Sequence, residues 1–184
     1  MKSSWFIKYL WVFFISSCFF AEAKKSPNII WITAEDMSPV LGCYGDEDAI
    51  TPNIDKLARE SVLYTHAFAS APVCSPSRSC LVQGALPPSM GTQHMRSGFP
   101  LPTSFTGFPA LLRKNGYYTT NNVKTDYNSG NYQQIIEKSW HESSTSAHWR
   151  NCPKKGMPFF SVFNLMTSHQ SRSMVWSDQK FKDE

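Results

Sequence analysis

Pro27-Asn28-Ile29-Ile30-Trp31-Ile32-Thr33-Ala34-Glu35-Asp36 is the stretch whose reading decides the fold. From Asn28 to Thr33 the residues are almost all apolar and mostly β-branched, and Pro27 bounds the run. Such a segment predicts a strand covered on both faces, as in the parallel sheets of α/β proteins. Its end carries two adjacent carboxylates, Glu35 and Asp36. In an open parallel sheet ligands bind just beyond the carboxyl ends of the strands, so this pair is a candidate site for a hard cation such as calcium or magnesium. A solvated loop or a helix cap is the alternative reading of the same two residues.

The chain alternates helix and strand signals beyond this point. Thr51 and Pro52 mark a helix start, and Ile54, Leu57, Ala58 and Ser61 follow helical spacing toward a core. Val62 to Ala69 alternates, which predicts a strand containing His66. Gly84 to Gly107 is rich in Pro, Gly, Ser and Thr and predicts a long irregular excursion, in which His94 and Arg96 are candidates to face a substrate. Phe108, Leu111 and Leu112 mark a helix stopped at Gly116; Tyr117 to Val123 reads as a strand ending at Lys124. A short helix is expected near Ile135, in an otherwise polar segment from Tyr127 to Lys155. Pro158 to Met166 reads as a further strand, with His169 just past it. No internal repeat interrupts the alternation, which predicts a doubly wound, mostly parallel α/β sheet.

Val73 to Cys80, Val-Cys-Ser-Pro-Ser-Arg-Ser-Cys, stands where a loop enters a helix. The first helical turn offers free backbone N–H groups and the positive end of the macrodipole, so Cys74 is biased toward an anionic or anion-binding form. Pro76 suits that turn because it has no N–H to lose, and Ser75 and Ser77 are placed to cap neighbouring amides. Arg78 adds a planar fork of donors suited to an oxyanion.

Composition limits what these features can belong to. With 184 residues, 41% hydrophobic and 17% charged, the chain is globular rather than disordered. A net charge of +4 without any basic run interleaved with aromatics gives no footprint for nucleic acid. Residues 1–23 read as an export signal: Lys2 and Lys8, an apolar stretch to Phe20, and Ala21-Glu22-Ala23 as a cleavage site. Ile15-Ser16-Ser17-Cys18 also resembles a lipobox, which would anchor the chain through Cys18; the cleavage reading is preferred because Phe19 and Phe20 continue the apolar run. A periplasmic or secreted location would put Cys43, Cys74, Cys80 and Cys152 in an oxidising compartment, where an even count invites disulfides. Cys74 and Cys80 are awkwardly spaced to pair with each other on one helix.

Glu35 and Asp36, Lys124, His169, and Cys74 with Arg78 thus sit at strand ends or a helix start, which a doubly wound sheet brings to one edge. A carboxylate pair, a nucleophile and basic donors suit transfer of a tetrahedral oxyanion, sulfate or phosphate. Cys74-Ser75-Pro76-Ser77-Arg78 matches in full the Cys-x-Pro-Ser-Arg signature of the type I sulfatases of the alkaline phosphatase superfamily, and the chain resembles them from Pro27 to about Arg172. Trp31-Ile32-Thr33 before the acidic pair, Gly91 to Ser97, and Thr120 to Asn128 look like the branch containing heparan N-sulfatase (N-sulfoglucosamine sulfohydrolase).

The resemblance implies a sulfuric ester hydrolase acting on sulfate esters or sulfamates of a sulfated glycan such as a glycosaminoglycan. It implies that a formylglycine-generating (sulfatase-maturing) enzyme converts Cys74 to formylglycine, whose hydrated aldehyde is the nucleophile and a metal ligand. One calcium ion would be held by Glu35, Asp36 and residue 74; Glu35 stands where the family usually has Asp. Arg78 would hold the hydrate, and Lys124 and His169 would contact the sulfate, with His94 as a further substrate-binding candidate. Asp126 occupies the place of the histidine in the family's Gly-Lys-x-His pattern, so the group that protonates the leaving oxygen is open. The resemblance also implies that residues 24–184 are the N-terminal part of a longer catalytic domain with little activity alone. A phosphatase or phosphodiesterase of the same superfamily is the alternative enzyme, disfavoured by Cys74; a non-catalytic glycan-binding remnant is the alternative outside enzymes.

Overall fold

The computed structural model describes residues 25–173, so the export signal, its Cys18 and its cleavage site lie outside the described residues. The centre is a four-stranded, all-parallel sheet of β1 (Ile29–Ala34), β2 (Tyr118–Asn122), β3 (Glu142–Ser143) and β4 (Phe159–Leu165), in the order β1-β4-β2-β3. Six α-helices accompany it among the described residues: α1 (Pro52–Arg59), α2 (Cys74–Gln83), α3 (Pro87–Met90), α4 (Phe108–Lys114), α5 (Tyr132–Ser139) and α6 (Gln170–Ser173). Parallel strands need crossovers, and here α2, α4 and α5 pack on the sheet as the alternation of the sequence requires.

Register decides which residues make the core. Ile29 pairs with Phe160 and Trp31 with Val162, so these side chains share one face. Against them pack Val82 of α2, Phe108 and Leu112 of α4, Ile135 of α5, Trp140 and Tyr127. Phe160 lies at the centre of an aromatic group with Trp31, Phe108 and Trp140, at ring separations of 5.3 to 6.2 Å. On the opposite face Trp149, in a 3₁₀ turn at Trp149–Asn151, meets Phe159 and Phe163.

Five sequence expectations are corrected. The first strand is not covered on both faces: its burial alternates, and Ile30 and Ile32 are 49% and 63% exposed, because β1 is an edge strand among the described residues and nothing described covers its second face. Residues 62–69 form no strand; Tyr64 and Phe68 are exposed and find no strand to pair with, so alternation alone does not make a ladder. Helix α1 forms over Pro52–Arg59 but buries no residue, and Ile54 and Leu57 stay exposed. Thr51 is its N-cap position, yet its hydroxyl donates to Asp55 Oδ1 at 3.0 Å instead of accepting from the helix backbone. All four cysteines of the described residues are free thiols, so the disulfide reading is not realised. The strands ending at Lys124 and before His169, the helix stopped at Gly116 and the helix start at Cys74 form as read; Gly116 has φ +84°, the left-handed region that favours glycine. The two-residue strand β3 was not anticipated.

His141, at the β3 edge, packs on the Tyr118 ring and accepts the Thr119 N–H on Nδ1 at 3.1 Å. Burial, with the nearby Arg113 charge, holds its pKa below the ordinary 6.5, against a smaller opposing pull from Glu142. The unfolded chain therefore binds this proton at a higher pH than the folded one, and stability falls as pH drops below about 6.5. Chemical unfolding should show a lower midpoint at pH about 5.5 than at about 7.5. His141→Asn should flatten that difference, and an unchanged pH dependence in the variant would remove His141 as its source.

Candidate active site

Parallel pairing puts the carboxyl ends of β1, β2 and β4 at one edge of the sheet, and α2 begins above it. Glu35 directly follows β1, and its N–H donates to Leu165 O of β4 at 3.2 Å. The Glu35 side chain is turned inward and buried, and both its oxygens meet cations: Arg78 Nη1 at 2.7 Å and Lys124 Nζ at 2.9 Å. Burying a lone carboxylate costs several kcal/mol, about as much per ion as is recovered only with close partners. Two guanidinium and ammonium partners supply that compensation.

Arg78 is itself fully organised. Its Nε donates to Thr125 O at 3.1 Å, and Nη2 donates to Lys124 O and to Asn164 Oδ1, both at 2.7 Å. Helix α2 is thereby fastened to the ends of β1, β2 and β4 through one side chain. Of the five guanidinium N–H groups, this leaves one on Nη1 without a partner among the described residues. Asn164 completes the bracket: it accepts from Thr33 Oγ1 at 2.9 Å and donates to Asn121 Oδ1 at 3.0 Å. Tyr127 closes the back of the region, accepting Trp140 Nε1–H at 2.9 Å; burial pushes its phenol up to about 12, slightly moderated by that hydrogen bond and by Arg78.

Cys74 opens helix α2, as expected, but Ser75 does not cap it. Ser75 Oγ instead donates to Asn128 Oδ1 at 3.3 Å and accepts the Arg96 N–H at 3.2 Å. The buried Asn128 also takes the Ser97 N–H at 2.6 Å and donates to the carbonyls of Thr92 and His94. The 92–97 loop is thus tied beside Cys74. His169 follows β4, and its Nδ1 accepts the Ser171 N–H at 3.2 Å, which in the neutral ring leaves the proton on Nε2, 3.9 Å from Asp36 Oδ2. Asp36 Oδ2 also accepts the Gln170 N–H at 2.9 Å.

The predicted residues therefore converge. Ligand atoms of Glu35, Cys74 and His169 lie within 4.8 Å of one another. Asp36, Cys74, Lys124, Asp126 and His169 line a common cleft of about 630 Å³. His94 does not line it: its side chain is exposed, and Arg96, two residues on, takes that place. Asn164, Asn128 and Ser168, which donates to Glu35 O, are the residues sequence reading missed. Polar residues set in the apolar run Phe-Phe-Ser-Val-Phe-Asn-Leu were the available signal for Asn164.

A family model described as Sulfatase matches residues 27–184. The chain belongs to the sulfatase family. Among relatives, it is 40% identical over 162 residues to an ulvan-active sulfatase of Formosa agariphila, covering 82% of this chain and 26% of the relative. It is 36% identical over 122 residues to mouse iduronate 2-sulfatase, covering 65% of this chain and 22% of the relative. The chain thus spans about a quarter of the length of these sulfatases. In fold it is similar to a protein solved with its substrate D-glucosamine-2-N,6-O-disulfate, at a TM-score of 0.64 and 21% identity, over 79% of this chain and 35% of that one. A 2-O glycosaminoglycan sulfatase gives a TM-score of 0.62 at 19% identity, over 78% and 35%. The α/β sulfatase fold is therefore shown for this N-terminal part of those structures.

Glu35 is the predicted weak point of the sulfatase scaffold. Glu35→Gln removes the buried charge that two partly buried cations share, and breaking such a pair from one side costs about 3 kcal/mol. Urea unfolding should register that loss; a change below about 0.5 kcal/mol, the range of surface substitutions, would show that the triad contributes nothing net.

Proposed function

We propose that this sulfatase-family chain carries the nucleophile and the sulfate-binding residues of an exported enzyme that hydrolyses sulfate esters or sulfamates on a sulfated glycan. The convergence of Glu35, Cys74 and His169 within 4.8 Å, with Lys124 and Arg78 on the Glu35 carboxylate, is the observation that carries this reading. The glycan class is supported by the ulvan-active relative and by the fold neighbour that binds a disulfated glucosamine. Sulfamate cleavage, the reaction of the heparan N-sulfatase branch, belongs to the same proposal through the Gly91–Ser97 and Thr120–Asn128 segments.

The donor set fits the two groups the family implies. As a thiol, Cys74 gives a mixed sulfur, nitrogen and oxygen set, poorly matched to calcium, which takes oxygen ligands. With an oxygen on residue 74, Glu35 and Asp36 complete a hard set, since each carboxylate oxygen can accept a hydrogen bond and still face a cation. Calcium takes about six to eight oxygens, so these residues supply only part of its shell. Calcium, if held there by Glu35, Asp36 and residue 74, would supply positive charge favouring an anionic oxygen on residue 74, the hydrated form of the formylglycine aldehyde that a sulfatase-maturing enzyme would make.

The chain's own residues do the remaining work. Arg78 cannot swing to follow substrate, because strand-end carbonyls and Asn164 hold it; it fixes Glu35 and offers its one remaining Nη1–H near residue 74. Lys124 Nζ has three protons and uses one on Glu35, so it reaches a sulfate oxygen without releasing the carboxylate. His169 presents Nε2–H to the cleft and donates that hydrogen bond to a sulfate oxygen. Charge that builds on the sulfate oxygens during transfer meets donors already in place.

Two measurements test the proposal. Peptide mass spectrometry across Val73–Arg78, on full-length protein made with a maturing enzyme, should find an aldehyde in place of the Cys74 thiol; an unconverted thiol would remove the mechanism. Lys124→Ala and His169→Ala should each lower kcat by about 10²- to 10³-fold on a sulfated sugar, the usual effect of deleting a preorganised donor.

A further inference from the structure

A second hollow, of about 510 Å³, adjoins the cleft, and two residues, Arg96 and Asp126, line both. They form the wall between them. We propose that this hollow is a second sugar subsite, taking the residue next to the sulfated one in an anionic oligosaccharide, with Arg96 reading the anionic group of that neighbour. The proposal rests on the sulfatase reading for which sugar fills the cleft.

Four observations carry it. The Arg96 guanidinium makes no hydrogen bond or ion pair among the described residues, whereas Arg78, the other arginine of the site, uses four of its five N–H groups within the chain. Arg96 is held in that position by its backbone: φ is +55°, and its N–H is fixed on Ser75 Oγ, itself held by the buried Asn128. An unpaired cation on a clamped, left-handed backbone is placed there at a conformational cost, which marks it for something outside the chain. The hollow also has the lining a sugar needs: the hydroxyl-bearing Ser97, Ser129 and Thr125, and the half-exposed ring of Tyr132 as an apolar platform. Finally, two glycines of its lining, Gly98 and Gly130, bring two backbone segments of its wall into close contact, which fixes its shape. The Gly130 N–H donates to Phe99 O at 2.9 Å, and a Cβ on Gly130 would stand 2.3 Å from Gly98 O.

Asp126 decides orientation. Its carboxylate repels an anion and accepts from hydroxyls, so the neighbouring sugar enters with a hydroxyl toward Asp126 and its carboxylate or second sulfate toward Arg96. Either anion suits a guanidinium fork, and the substrate's own chemistry supplies one or the other.

Binding to full-length protein with Cys74 left unconverted separates this idea from the catalytic one. The probes are glucosamine-2-N,6-O-disulfate alone, the same sugar linked to glucuronate, the same linked to a sulfated neutral hexose, and the same linked to unsulfated glucose. At least one charged disaccharide should bind about tenfold tighter than the monosaccharide and the glucose-linked probe, a charge-assisted hydrogen bond's worth of affinity. Which charged arm gains identifies carboxylate or sulfate as the group read. Arg96→Ala should collapse that ratio to about one, and Arg96→Lys should restore part of it. Equal binding of charged and uncharged probes by the unaltered protein, or a ratio that survives Arg96→Ala, overturns the subsite. Failure of the sulfatase reading would appear elsewhere, as no hydrolysis of any of these sulfates by the matured enzyme.

Discussion

The buried carboxylate of Glu35, shared between Arg78 and Lys124, is the constraint on which the site depends. It joins three elements that the chain visits far apart: the end of β1, the first turns of α2 and the end of β2. A carboxylate at this depth persists only with close cationic partners. Arg78 in turn is held by carbonyls of Lys124 and Thr125, so the cation that compensates Glu35 also closes the end of β2. Each member is needed to make the others tolerable, which is why Cys74, four residues before Arg78 on the same helix, has a fixed place over the sheet edge.

Glutamate at this position has a consequence that aspartate would not. The longer side chain lets both oxygens reach cations at 2.7 and 2.9 Å while the backbone stays in register with Leu165 of β4. The Glu35 carboxylate offsets only one of the two charges of Arg78 and Lys124, so the triad keeps a net positive charge for an incoming anion. A cation bound at Glu35 and Asp36 would draw on the same carboxylate, so cation and sulfate are linked through one side chain.

Much of the fold and most of the site were legible in the sequence because they rest on local signals. An apolar run ending in charge reads as a strand ending at an edge, and Cys-Ser-Pro-Ser-Arg before Leu81 and Val82 reads as a helix start. Parallel topology then brings those ends together without further information. What was not legible depends on partners distant in sequence. Val62 to Ala69 has strand composition but no neighbour to pair with; Ile54 and Leu57 have helical spacing but no face to meet among the described residues. Ser75 looked like a cap, and only the fold reveals that Asn128, 53 residues on, claims its hydroxyl. Of the two loop candidates, His94 and Arg96, only Arg96 lines the cleft, and the direction in which a loop residue points is not written in its identity.

Backbone conformation points to the same cleft independently of any side-chain chemistry. The four non-glycine residues with positive φ among the described residues are Asp36, Val73, Arg96 and Asp126, at +50°, +30°, +55° and +49°. All four line the cleft. Left-handed backbone costs a residue with a Cβ about 1 to 3 kcal/mol, and most sharply a β-branched one such as Val73. Glycine would relieve the strain at each position, and the chain spends glycines elsewhere, at Gly45, Gly84, Gly91, Gly107, Gly116 and Gly156. At Asp36, Arg96 and Asp126 a glycine would lose a charged side chain presented to the cleft. The strain is therefore best understood as the cost of presenting those charges, and it clusters around Cys74 in the same cleft that the side chains mark as the candidate site.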